Sequence, residues 1–503
     1  MTILEQCGAQ ARTQESRPWP RAVVGAEGWR FAASQLAEGL WELLALWAEA
    51  QVVHLAVRAA ASGEIAILSL PCADGGYTAL AQWHPPAMRL ERTIRDLFGL
   101  EPIGLPDARP WLDHGRWGVR HPMANPETIA PHSSAYRFLP AEGDGLHQIG
   151  VGPVHAGIIE PGFFLFTANG ETIVRLEERL GYAHKGIEGL MVDSDLDRAI
   201  QLAGRTSGDS TVAYAYAFAA AAEAALKIDV PPRAILLRAL MAELERIANH
   251  FGDFGAICND ASFAVMHAQC GILRERVLRA ANACFGHRLM RDRIVVGGVT
   301  ADLNKDGRAV LRGLLGEITR RLPRLAELYD KTASLQDRTV GAGVLNPALA
   351  SQYACGGYIG RASGRNFDAR KVIRYAPYDQ LVFEVAVLAE GDVNARVWIR
   401  IREIEQSVAI IRQILDRLPE GELRAAVSQI DTSREGAAAV EGFRGDIFVW
   451  MRISAAGAID RCHLRDPSWF QWPLLEAAIG GNIVADFPLC NKSFNCSYSG
   501  HDL

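Results

Sequence analysis

A chain of 503 residues, 49% of them hydrophobic, is long enough for two or more packed domains and their cores. Its 52 basic and 58 acidic residues leave a formal charge of −6 spread along the chain, which excludes a basic nucleic-acid surface and points to proteins and small molecules as partners. The most apolar stretch, 211–222, is well short of the roughly 20 residues that cross a bilayer, and the first residues lack a basic start before an apolar core, so neither a membrane span nor a Sec-type signal is expected.

Residues 1–20 are polar and Pro-containing and are expected to form a loose leader. From Gly28 to Glu49 the spacing of Leu36, Leu40, Leu43, Leu44 and Trp47 predicts a helix; Val52–Arg58 and Glu64–Leu70 read as strands around a Ser62-Gly63 turn. Together these predict a small α+β unit over 21–120. Its last helix, from Glu91, is charged, amphipathic and stopped by Gly99. The run Glu91-Arg92-Thr93-Ile94-Arg95-Asp96-Leu97-Phe98-Gly99-Leu100, followed by Leu105-Pro106-Asp107, resembles the signature of the complex I 30 kDa subunit family, E-R-x-x-x-D-L-x-G-I then H-P-D, with Leu105 in place of histidine. That resemblance implies a docking and assembly module without a cofactor. Residues 121–147, rich in Pro, Ser and Gly, are predicted to link it to a large domain over 148–503.

The large domain opens Gly150-Val151-Gly152-Pro153-Val154-His155, and passes through an apolar run, an Asn169-Gly170 turn and a second strand. It then reads Gly181-Tyr182-Ala183-His184-Lys185-Gly186-Ile187-Glu188 and reaches Arg205-Thr206-Ser207-Gly208-Asp209-Ser210 ahead of an alanine-rich helix. Arg233–Phe251 carries a broad apolar stripe, and further core helices are predicted over Cys258–Phe285, Gly307–Leu335 and Ile401–Leu418, with a turn at Gly297-Gly298 and a strand over Ile447–Ile453. Gly356-Gly357 has the look of a phosphate loop but lacks its Gly-Lys-Ser/Thr. Taken with the run Gly360–Arg370, the Gly391-Asp392 to Arg396 element and Glu441-Gly442-Phe443-Arg444-Gly445-Asp446, this order is similar to the large-subunit family shared by nickel–iron hydrogenases and the complex I 49 kDa subunit, and most of all to the hydrogenase-4/formate hydrogenlyase branch. The likeness covers 90–120 and nearly all of 148–503. The expected fold class is α+β, a small N-terminal docking domain followed by a mainly helical bundle with β elements at its ends.

A lone His or Glu in a loop is most simply a hydrogen-bonded loop residue. The resemblance implies more for His155 and Glu160, which fall on the loop that lines the buried cavity facing the iron–sulfur partner; where complex I carries a second histidine, this chain has Ile159. Arg205 stands at the arginine of the family's R-x-C-G-x-C, and a fixed guanidinium there would raise the potential of a nearby cluster or bind an anionic intermediate. Arg205, Asp209, His155 and Glu160 are expected to converge on one acceptor cavity. Complex I places a tyrosine two residues before the position of Ser210, which here is Gly208. The Gly181–Glu188 element is expected to be structural.

A Ni–Fe centre needs soft thiolates, which serine hydroxyls do not replace. The resemblance puts the four ligand positions at Ser207, Ser210, Cys496 and Ser499, leaving one thiolate of four. The nine cysteines include no C-x-x-C pair and read as reduced thiols of a cytoplasmic protein. Only His501-Asp502-Leu503 follow Gly500, so hydrogenase-style tail cleavage has almost nothing to remove. What the resemblance implies is the large subunit of a membrane-associated, complex I-like oxidoreductase that has lost Ni–Fe and binds no cofactor alone. It would pass electrons between a 4Fe–4S cluster in a partner small subunit and a quinone or other acceptor. Antiporter-like membrane subunits would be its neighbours, on the cytoplasmic, inner face of the cell membrane. A working nickel–iron hydrogenase and a scaffold without chemistry are the alternatives.

Overall fold

Trp41–Glu49 is a strand, not the second half of a helix: the helix spans Ala26–Ala37, and Gly39, at φ +71, turns the chain into the strand. It pairs antiparallel with Val52–Ala59, from Trp41↔Ala59 to Glu49↔Val52. Both faces are buried. Leu43, Leu46 and Ala48 share a core with Ala32 and Leu36 of the helix, whereas Leu44, Ala45 and Trp47 share one with Ala437, Phe448 and Trp450 of another sheet. A strand covered on both faces is apolar throughout, and such a run satisfies helical spacing as readily as alternation.

The computed structural model describes residues 1–9, 11–13, 15–131, 136–155, 159–428 and 430–503. Among these, the N-terminal sheet has its strands in the order Ala11–Thr13, Arg21–Val23, Ile65–Pro71, Val52–Ala59, Trp41–Glu49. The helix Met88–Phe98 lies beside it and ends at Gly99 in the left-handed region, as its sequence predicts. The leader is docked instead of loose. Thr2 and Glu5 form a capping box, Ile3, Leu4 and Cys7 are buried, and Ser16–Arg17 pairs in parallel with Glu435 and Gly436. Three apolar side chains and a short ladder are enough to fix a segment whose composition is otherwise polar. Residues 132–135 of the expected linker lie outside the described residues; within the rest, Tyr136 accepts a hydrogen bond from Arg92 Nη2 at 3.0 Å.

Beyond residue 145, Leu146–Val151, Phe163–Asn169 and Thr172–Arg179 form an antiparallel sheet turned at Asn169-Gly170. Thr211–Leu226 is mostly alanine and buried on nearly all sides, which lets it lie directly beneath the sheet of Arg434–Glu441, Asp446–Ile453 and Ile459–Arg465. The approach is so close that a Cβ at Gly436 would sit 1.9 Å from the Ala221 carbonyl oxygen. Pro232–Asp260, Ala264–Phe285, Lys305–Lys331 and Val393–Arg417 make the bundle. Cys258 therefore belongs to the helix before the one predicted to contain it, and the predicted helix over 307–335 is interrupted at Thr332, where the backbone is extended. The architecture is α+β, as expected, with a helical bundle between β elements. One apolar core runs from Leu90 and Ile94 near the N-terminus to Trp469, Trp472 and Phe494 near the C-terminus.

Candidate functional site

Six segments meet around a cavity of about 750 Å³, one of them the helix Ala264–Phe285, which contributes His267, Arg274 and Glu275. The turn Ser207-Gly208-Asp209-Ser210 precedes the alanine-rich helix and brings Ser207 and Asp209 to the cavity wall. Asn249 and Asp253, four residues apart on one face of Pro232–Asp260, project beside it, and Asn249 Nδ2 donates to the Asp209 carbonyl at 2.7 Å. Arg444 comes from the tight loop between two strands. That loop presses on Gly357, where φ is +66 and a Cβ would lie 1.9 Å from the Arg444 carbonyl oxygen, so Gly356-Gly357 serves a close backbone approach. Asn495, at φ +44, ends the helix Phe487–Phe494 and starts the turn that carries Cys496, Ser497 and Ser499. Glu160 closes the ring, its Oε2 accepting from Ser499 N at 3.1 Å.

The electrostatics are dominated by one pair. Arg444 Nη1 and Nη2 donate to the two oxygens of Asp209 at 2.7 and 2.6 Å, and Arg444 Nε donates to the Asn495 carbonyl. Burial pushes the Asp209 pKa up, but the Arg444 guanidinium and the Ser207 hydroxyl outweigh it and hold the carboxyl below its ordinary value. The Asp209 side chain is 35% exposed against 6% for Arg444, so the carboxylate faces the cavity from a guanidinium held in the wall. Asp253 is fixed in the same manner by Arg400 Nε at 3.2 Å and Asn495 Nδ2 at 2.9 Å. The arrangement offers an incoming molecule three positive groups, Arg274, Arg444 and Lys492, four carboxylates, Glu160, Asp209, Asp253 and Glu275, and several hydroxyls in a space that accommodates a ring-sized head group.

Of the four residues expected to converge, Glu160 and Asp209 line this cavity and Arg205 does not. Arg205 donates to both Asp292 oxygens at 2.7 and 2.8 Å and to the Gln201 carbonyl at 2.7 Å, closing the end of the helix Leu196–Ala203 on the outer side of the turn. It is not among the residues that line the cavity, where Arg444 and Arg274 supply the guanidinium groups. His155 is half-buried and is not among the described residues lining the cavity; the neighbouring 156–158 lie outside the described residues. Ile159 does line it. The Gly181–Glu188 element is structural: Lys185 N and Gly186 N donate to the Leu503 carbonyl, Lys185 Nζ to the Thr206 carbonyl, and Glu188 pairs with Arg461 and His463.

A family model described as "Respiratory-chain NADH dehydrogenase, 49 Kd subunit" matches residues 263–437. Formate hydrogenlyase subunit 5 of Escherichia coli (strain K12) is 30% identical over 436 residues, 85% of this chain and 77% of that protein. The carbon monoxide-induced hydrogenase of Rhodospirillum rubrum is 31% identical over 350 residues, 69% of this chain and 97% of that protein. The chain belongs to the complex I 49 kDa and hydrogenase large-subunit family. Its fold is that of a chain in the membrane-bound sulfane sulfur reductase, an archaeal respiratory membrane complex, with a TM-score of 0.67 at 24% identity over 71% of this chain and 99% of the other. Members of this large-subunit family are oxidoreductase subunits that work inside complexes.

Ser207, Cys496 and Ser499 line the cavity and Ser210 is buried beside Arg444 Nη1 at 3.4 Å, so the four expected ligand positions do come together. Their chemistry does not suit nickel or iron. Ser207 Oγ lies 2.8 Å from Ser497 Oγ and donates to Asp209 at 2.9 Å, while burial and the nearby Glu178 carboxyl push the Cys496 thiol well above its usual pKa, away from the thiolate a soft metal needs. Among the described residues no group of three or more His, Cys, Asp or Glu is placed to hold a metal ion. Arg444, Asn249 and Asp253 are the functional candidates that sequence reading passes over. The signals available were the arginine between two glycines, Gly442-Phe443-Arg444-Gly445, and the four-residue spacing of Asn249 and Asp253.

Proposed function

We propose that this chain is the large subunit of a membrane-associated, complex I-like oxidoreductase of the hydrogenase-4 type that works without a Ni–Fe centre. Electrons pass between a 4Fe–4S cluster of a partner small subunit and a quinone or other acceptor in the cavity at Asp209 and Arg444. The observation that supports this reading is the clamped Asp209–Arg444 pair among the hydroxyls of Ser207, Ser497 and Ser499, a surface suited to bind and orient a polar head group. Arg444 stabilises negative charge as the acceptor is reduced; Asp209, Glu160, Asp253 and Glu275 are the carboxylates lining the cavity that hold or release its protons. Gly208 leaves space at the cavity rim, since a Cβ there meets nothing within 4 Å, so an acceptor larger or differently held than one gripped by a tyrosine is admitted.

Among the described residues no helix is long and apolar enough to cross a membrane, which supports attachment through partners: an iron–sulfur small subunit over the cavity and antiporter-like membrane subunits below, at the inner face of the membrane. The test is to purify the intact complex, measure its nickel and iron, and assay reduction of quinones and dyes alongside hydrogen turnover. Acceptor reduction without nickel is the expected result. Stoichiometric nickel with hydrogen turnover would make it a hydrogenase, and an assembled complex inert toward every acceptor would make it a scaffold.

A further inference from the structure

Each carboxylate lining the cavity at Asp209 is already matched. Asp209 is gripped by Arg444, and Asp253 accepts from Arg400 Nε at 3.2 Å and Asn495 Nδ2 at 2.9 Å. Glu275 accepts from Arg279 Nε at 3.0 Å and Arg288 Nη2 at 2.7 Å. Glu160 accepts from Ser499 N at 3.1 Å, with the Lys185 charge close by. Arg444 is spent as well, its two terminal nitrogens on Asp209 and its Nε on the Asn495 carbonyl.

Two cations lining the same cavity are not matched. Arg274, midway along the helix Ala264–Phe285, makes no hydrogen bond or ion pair among the described residues. Neither does Lys492, in the last turn of Phe487–Phe494; the Asp260 carboxyl feels its charge without pairing with it. Both side chains are half-buried and none of their nitrogens is sealed from solvent, so their donors are open to an incoming group. The Arg274 stem lies against Gly252 of the helix Pro232–Asp260, where a Cβ would come 3.1 Å from Arg274 Cδ and 3.2 Å from Nε. The glycine therefore gives the guanidinium its seat by allowing a close approach. Arg274 also lines an adjoining cavity of about 230 Å³ with Leu244, Val277 and Leu278, so it stands where a polar space meets an apolar one.

An unpaired guanidinium in a partly desolvated place is costly, and its planar fork matches the two oxygens of a carboxylate, sulfonate or phosphate. With the lining carboxylates matched by their own partners, the donors left over in this cavity are cationic. We propose that the cavity takes a molecule with an anionic substituent, a carboxylate, sulfonate or phosphate, held in a fork by Arg274 and drawn in by Lys492. Resting on the acceptor role proposed for the cavity, that molecule is the electron acceptor, and Arg274 is a residue that sets its specificity.

The test is calorimetric titration of the purified intact complex with naphthalene-2-sulfonate, using naphthalene-2-sulfonamide as the uncharged control of the same size. Saturable binding of the sulfonate, about tenfold tighter than the sulfonamide and weakened by added salt, is expected from one charge-assisted pair. Arg274→Gln should bring the two compounds to equal affinity, and Arg274→Lys should restore part of the difference. Equal affinities on the unaltered complex, no saturable binding of the sulfonate, or a preference that survives Arg274→Gln in an assembled complex would each overturn the proposal. The comparison on the unaltered complex decides it even where a variant fails to assemble. The sulfonate should also inhibit acceptor reduction competitively. Binding that depends on Arg274 in a complex that reduces nothing would keep the anion site and end the acceptor role, whereas acceptor reduction untouched at saturating sulfonate would overturn the assignment of the anion to the acceptor.

Discussion

Arg444 grips Asp209 through two parallel hydrogen bonds of 2.7 and 2.6 Å, joining residues 235 positions apart in sequence at the wall of the largest polar cavity described. Such a fork pairs charge with orientation, and breaking one side strands the other in a partly desolvated place. In the intact complex, Arg444→Leu should lower acceptor reduction about a hundredfold with assembly retained. Arg205→Leu removes a half-exposed pair with Asp292 and should change turnover little, at a stability cost of no more than about 1 kcal/mol. Equal losses in the two variants would return the site to Arg205.

The metal prediction concerns composition. Expressed with a complete hydrogenase maturation system, the complex should contain no stoichiometric nickel by elemental analysis, since Cys496 is the one thiol at the four positions where the resemblance expects ligands. One nickel per chain would end the proposal that a head group replaces the metal.

Gly208 offers a gain test. It has an exposed, unobstructed side-chain position and no positive φ, so Gly208→Tyr should fold with a stability change within about 0.5 kcal/mol. Steady-state assays across quinones of different head-group size should then show narrowed acceptor preference; an unchanged profile would place the acceptor elsewhere.

A pH prediction follows from Glu245, which sits beneath the turn and accepts from Val212 N at 2.7 Å and Ala213 N at 3.1 Å. Burial lifts its pKa to about 8 despite those bonds, so the folded chain keeps a proton that the unfolded chain loses near pH 4.5. The folded state then binds more protons between those values, and this group's contribution to stability falls as pH rises from about 5 to 8. Glu245→Gln should gain stability relative to the native chain across that window, in denaturant titrations at several pH values. A difference that stays constant with pH would mean the carboxyl is ionised throughout.

The partner prediction rests on two exposed apolar side chains. Ile159 lines the cavity at 38% exposure, and Val154, five residues earlier in the sequence, is 84% exposed. Ile159→Asp with Val154→Asp should weaken co-purification with an iron–sulfur small subunit at least about tenfold, the cost of burying charge in an apolar contact. Unaltered co-purification would move the interface to another face.

Much of the fold was legible because its signals are local. Gly99 stops the helix Met88–Phe98, Asn169-Gly170 turns the hairpin, and the stripe on Arg233–Phe251 marks the longest bundle helix. Trp41–Glu49 was misread because a strand buried on both faces has no alternation to show. At the site, the converging of Ser207, Cys496 and Ser499 agrees with the motif spacing, whereas Arg205 was misplaced: sequence gives the position of a guanidinium on the chain but not the direction in which its side chain leaves the helix end.

The sequence by itself determined the family and the order of its elements, because these are properties of residue type and spacing along the chain. Tertiary structure alone decided which charges face one another. Arg444 reaches Asp209 only because the Gly442–Gly445 loop passes over Gly357, and Glu188 meets His463 only because the Gly181–Glu188 segment packs against the strand Ile459–Arg465. Pairings across hundreds of residues depend on packing distances, and those are set by the whole core and not by any stretch of it.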